Sequence, residues 1–111
     1  MATWTEEYSN TETNEEIAVG ATAGFGRVQV TRANRSKYGS MNTLLITVNT
    51  AASITVTLDG QVFSRTANAS ISIAPEDGYF FNLIDITNND GSAIAADLIK
   101  VRYGRSRRIA A

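Results

Sequence analysis

Apolar and polar residues alternate with period two along this chain, and a turn signal breaks the alternation about every ten residues. Successive side chains of a strand point to opposite faces, so the pattern specifies sheets with one buried face. Leu44, Ile46 and Val48 alternate with Thr43, Leu45 and Thr47, and Ile54, Val56 and Leu58 alternate with Ser53, Thr55 and Thr57. Asp59-Gly60 then leads directly into Gln61-Val62-Phe63-Ser64. That dipeptide predicts a two-residue hairpin turn in which both residues take positive φ. Ala69, Ile71 and Ile73 carry the alternation on, and Pro75-Glu76-Asp77-Gly78 reads as another turn.

Two stronger strands follow, Tyr79 to Thr87 and Ala95 to Tyr103, facing each other across the polar turn Asn88-Asn89-Asp90-Gly91-Ser92. In the second, Ile99, Val101 and Tyr103 share one face and Lys100 and Arg102 the other, as in a half-buried strand. In the first, Phe80, Ile84 and Ile86 fall on one face and Phe81 and Leu83 on the opposite one. It therefore has no open side and reads as a central strand, or one whose outer face a partner covers. Upstream, Ile17, Val19, Phe25, Val28 and Val30 suggest a further strand, kinked at Gly24 and Gly26. Seven to eight short antiparallel strands without a helical pattern specify an all-β, single-domain β-sandwich. A jelly roll and an Ig-like order both fit, since the pattern does not fix strand order.

Without cysteine or histidine the chain lacks disulfides, thiolate nucleophiles, the commonest general base and the commonest transition-metal ligand. The composition suggests neither an enzyme nor a cofactor. Asn88, Asn89, Asp90 and Ser92 offer oxygen donors, but their types are those of an ordinary β-turn. Asp85 and Asp97, opposite each other across the expected hairpin, lack a defined cleft. No window is apolar enough for a membrane helix, and the first residues have no secretory pattern, so a soluble protein made and used without export is expected.

The net charge of −1 hides a dipolar chain. Residues 1–16 carry Glu6, Glu7, Glu12, Glu15 and Glu16 and no basic residue, which predicts an acidic, flexible arm. Residues 17–104 form the sandwich and residues 105–111 a basic tail. Lys100, Arg102, Arg105, Arg107 and Arg108 place five of the ten basic residues in nine positions. Arm and tail are complementary, so one copy's arm is expected to lie along a neighbour's tail or on a larger partner. The candidate partner-binding residues are Trp4, Glu6, Glu7 and Tyr8 on the arm, with Lys100, Arg102, Arg105, Arg107 and Arg108 opposite. Trp4 and Tyr8 would anchor a contact that exposed charges alone hold weakly. Sparse aromatics around the basic residues count against nucleic acid as the partner. The loop 32–41, with three cations and Tyr38, is a weaker candidate for a phosphate or a base.

The chain resembles the small jelly-roll decoration (cement or staple) proteins on the heads of tailed bacteriophages. The likeness rests on a cysteine-free chain of about this length, Thr-, Asn- and Ala-rich short strands, and the late segments Phe80-Phe81-Asn82-Leu83-Ile84-Asp85-Ile86-Thr87 and Ala96-Asp97-Leu98-Ile99-Lys100-Val101-Arg102-Tyr103 around Asn-Asn-Asp-Gly. It covers residues 17–104. The resemblance implies a non-catalytic virion protein on the capsid exterior, made in the host cytoplasm. It would clamp the major capsid protein lattice, often as a dimer or trimer. The rival expectation is a carbohydrate-binding or viral fibre module, for which Tyr38 and Tyr79 would have to supply the aromatic platform. Nucleic-acid binding through the basic tail is a further alternative.

Overall fold

The computed structural model describes residues 3–26 and 40–109, which form eight strands in chain order. These are β1 (Thr3–Thr13), β2 (Thr22–Phe25), β3 (Thr43–Val48), β4 (Ile54–Leu58), β5 (Gln61–Thr66), β6 (Ser70–Ile73), β7 (Ile84–Asn88) and β8 (Ile99–Ile109). One four-stranded antiparallel sheet has the order β1-β8-β3-β6 and the other β2-β7-β4-β5. The first strand therefore pairs with the eighth, the second with the seventh, the third with the sixth and the fourth with the fifth. This is a long hairpin rolled up around its tip, the jelly roll. The tip is Asp59-Gly60, with φ of +53° and +81° as the dipeptide predicts.

The core lies between the sheets. Leu44, Ile46 and Val48 of β3, Ile54, Val56 and Leu58 of β4, and Ile99, Val101 and Tyr103 of β8 are all buried, as their alternation requires. Val28 and Val30, and all but the last two residues of loop 32–41, lie outside the described residues.

Four expectations change. Residues 3–13 are not a free arm but β1, hydrogen-bonded along its length to β8 from Thr3 opposite Ile109 to Thr13 opposite Lys100. Their polar composition concealed a strand because none of its residues needs deep burial on an edge position. The tail likewise continues β8 without a break, so the divisions after residues 16 and 104 are not structural boundaries.

The two late strands are not a hairpin. β7 is central in one sheet and β8 in the other, so Asp85 and Asp97 do not face each other across a turn. Asp85 sits opposite Thr57 and Gly24, while Asp97 takes a φ of +65° ahead of β8. Finally, Phe81 is fully buried and Phe80 is 54% exposed, the reverse of their expected company. Residues 78–83 do not run as a regular strand. Phe81 bridges to Met41, and the Asp59 carboxylate accepts hydrogen bonds from Asn82 N–H at 3.0 Å and Leu83 N–H at 2.8 Å. The resulting bend shifts the alternation before Ile84.

The two ends of the sandwich differ. At the far end two buried amides tie the loops together. Asn14 Nδ2 donates to Glu15 O and Ala95 O at 2.8 and 2.9 Å, and its Oδ1 accepts from Leu98 and Ile99 N–H at 3.0 and 2.8 Å. Asn88 Nδ2 donates to Ile17 O and Ser92 O while its Oδ1 accepts from Asp90 N–H. The Asn-rich turn thus uses its amides partly on its own backbone and partly to hold the neighbouring 17–18 segment and Thr55. At the near end β3 stops at Thr43, opposite Gly104, while β1 and β8 run on. Rows of about 3.4 Å per residue carry the pair roughly 17 Å further, and the molecule is 49 Å long against 31 and 23 Å across.

Candidate docking surface

A two-stranded ribbon, residues 3–8 against 105–109, extends beyond the sandwich. Isolated ribbons are marginal in water, so its root is fastened. Asn42 continues the ladder with its side chain: its Oδ1 accepts from Ser106 N–H and its Nδ2 donates to Ser106 O, both at 2.8 Å. Arg105 Nη1 donates to Ser40 O at 2.7 Å, and its guanidinium lies 5.1 Å over the centre of the Phe80 ring. An extra residue in β1, Glu7, makes a bulge between Glu6 opposite Ser106 and Tyr8 opposite Arg105. There the backbones approach so closely that Gly104 has no room for a side chain.

Alternation continues along the ribbon and sorts the candidate residues between two faces. Arg105, Arg107 and Ile109 follow Tyr103 on the inner side, joined across the ladder by Tyr8 and Thr5. Trp4, Glu6 and Ser106 lie on the outer side with Arg102 and Arg108. Arg102 and Glu6 form an exposed ion pair at 3.4 Å. Exposed Lys100, opposite Thr13, sits at the other end of β8, and Glu7 is exposed at the bulge. Acidic β1 thus lies against basic β8 of its own chain, with Glu6 and Arg102 paired across the ladder. The five cations do not form one track.

The inner face of the ribbon meets an apolar shelf. Phe80, Tyr79 and Leu83 are exposed large side chains. Tyr79 packs edge-on against Phe63 with ring centres 5.7 Å apart and leans on buried Phe81 at 6.3 Å. Ribbon and shelf form a corner with arginines on one wall and aromatic rings on the other. Sequence reasoning named the arginines but placed Phe80 in the core. The missed signal was long-range, since the Asp59 carboxylate turns the shelf outward from 23 residues away.

The outer face borders a different feature, a cavity of about 340 Å³ lined by Trp4, Glu6, Thr43, Leu45, Arg102 and Ser106 among others. Another cavity, of about 370 Å³, lies beside Glu12, Glu15, Glu16 and Phe25. There Glu12 is used structurally: its Oε2 accepts from Gly26 N–H at 2.9 Å and from the Tyr103 hydroxyl, to which Asn10 Nδ2 donates at 3.1 Å. No three His, Cys, Asp or Glu side chains gather as a metal-ligand set among the described residues. Among those residues no helix is long and apolar enough to cross a membrane.

Burial, and then the hydrogen bond to Glu12, push the Tyr103 hydroxyl well above the ordinary tyrosine value of 10.0. The folded chain therefore holds this proton above pH 10 while the unfolded chain releases it. The resulting stabilisation is complete below pH 10 and is lost as pH rises further. One of the four tyrosines is expected to ionise only as the fold is lost in an alkaline absorbance titration. Tyr103→Phe should remove that phase. Reversible titration of every tyrosine in the folded protein would contradict it.

Comparison with family models, with curated proteins and with solved structures finds no match to this chain.

Proposed function

We propose that this protein is a non-catalytic structural component of a virion, a decoration or cement protein on the outer surface of the major capsid protein lattice. The corner between the ribbon and the Tyr79-Phe80-Leu83 shelf carries this reading. Exposed aromatics beside arginines are the composition of a protein interface core, and the corner's occupant is an apolar, acidic surface on the capsid. The jelly roll supplies a rigid body, and the ribbon reaches beyond it to grip an adjoining subunit. Dimeric or trimeric self-association would multiply individually weak contacts. Nucleic acid is a poorer partner, because Arg105 and Arg107 face one way and Lys100, Arg102 and Arg108 the other.

Sedimentation of the chain with heads purified from the virus that encodes it tests the proposal. Arg107→Glu changes an exposed side chain and is expected to melt as the parent does, and Phe80→Ser, which gives up the ring under Arg105, is expected to stay folded with a loss of about 1 kcal/mol. Each should weaken binding by about 30-fold or more, the loss of one interface hot spot of about 2 kcal/mol. Unaltered binding by both variants would remove the corner from the contact, and no binding by the parent chain would end the capsid reading.

A further inference from the structure

The cavity on the outer face of the ribbon is lined from all four strands of its sheet, with Ile73 supplied by β6, and is separate from the docking corner. β1 contributes Trp4 and Glu6, β8 contributes Arg102 and Ser106, and β3 contributes Thr43 and Leu45. We infer that this cavity is a binding site for a neutral saccharide, with Trp4 as its apolar wall and the Glu6–Arg102 pair as its hydrogen-bonding wall.

The chemistry of the lining selects that ligand class. At about 340 Å³ the cavity is at the small end of ligand sites, with room for one sugar ring and part of a second. A pyranose has an apolar C–H face and a rim of hydroxyls, each able to donate and to accept. Trp4, only partly buried, and Leu45, 42% exposed, provide apolar surface for the first. The rim needs acceptors and donors side by side. A carboxylate only accepts and a guanidinium only donates, and Glu6 Oε1 and Arg102 Nη2 are 3.4 Å apart with about half of each side chain exposed. Neighbouring hydroxyls of a sugar span such a pair, one donating to Glu6 and the next accepting from Arg102. Thr43 and Ser106 add hydroxyls of their own.

The pairing also argues against charged ligands. Arg102 is already neutralised by Glu6, so an anion such as a phosphate gains little there, and a cation over Trp4 meets Arg102. The inference does not rest on the capsid reading, because the shelf and the inner face of the ribbon take no part in it.

Trp4 is the sole tryptophan, so its fluorescence reports on this cavity alone. Titration of the full chain with methyl glucoside, methyl galactoside, N-acetylglucosamine and maltose is expected to change that emission saturably for at least one of them. Arg102→Gln and Glu6→Gln alter only an exposed pair, and each should weaken the binding about tenfold, the loss of a charge-assisted hydrogen bond. The corner variants Phe80→Ser and Arg107→Glu should leave it unchanged. Three outcomes would overturn the inference: no response to any of the four sugars at tens of millimolar, a response that survives both Arg102→Gln and Glu6→Gln, or a response to sialic acid or inorganic phosphate alone. A sugar-binding chain that ignores viral heads would sink the capsid reading and leave this site standing.

Discussion

Replacing Gly104 by alanine is expected to destabilise the protein by about 3 kcal/mol or more, visible as a large fall in the denaturation midpoint. A Cβ at this position would stand 2.2 Å from the Tyr8 carbonyl oxygen and 3.0 Å from Ser9 Cα. Both are backbone atoms of β1, so no side-chain rotation relieves the clash. β1 must move away from β8 at the bulge, and with it go the Asn10–Tyr103–Glu12 hydrogen bonds and the root of the ribbon. Gly91 is the control. A Cβ there meets nothing within 4 Å, and Gly91→Ala should be close to neutral. Equal, small effects of the two substitutions would show that β1 does not pair with β8 in this register.

Asn14→Ala is expected to cost about 3 kcal/mol as well, for a different reason. The amide side chain is the hydrogen-bond partner of four backbone groups on both sides of the step from β1 to the strand beside it. Alanine leaves these without a partner in a site where Asn14 itself is 2% exposed, and such groups cost their desolvation when unpaired. Urea denaturation with an unchanged slope would give the loss directly. A neutral outcome would return residues 1–16 to the status of a free arm.

What the residues disclose on their own follows from where each strand sits. β3, β4 and the Asp59-Gly60 tip are legible because each has one fully buried face and a turn with strict backbone demands. Lys100 and Arg102 are correctly placed outward for the same reason. β1 is not legible, since an edge strand with Thr, Asn and Glu has no apolar stripe. Only its charge, opposite in sign to 100–108, points to β8, and charge does not say whether the partner is the same copy or another. The shelf was hidden because the phase break between Phe81 and Ile84 is imposed by Asp59, remote in sequence. The cavity needs β1, β8 and β3 side by side, an adjacency that strand patterns leave open. Trp4, Glu6 and Arg102 were singled out for their types, and the roll brings them together.

The pairing of first strand with eighth has a consequence for synthesis. β1 leaves the ribosome with no sheet partner and must wait for some ninety residues until β8 has been made. An apolar strand held open for that interval is a template for aggregation. Glu6, Glu7 and Glu12 keep this one solvated and mutually repelling, with no run of apolar residues to misdock. The polarity that disguises β1 as disorder is thus what allows a strand with so distant a partner to remain in solution until the basic strand arrives to neutralise it.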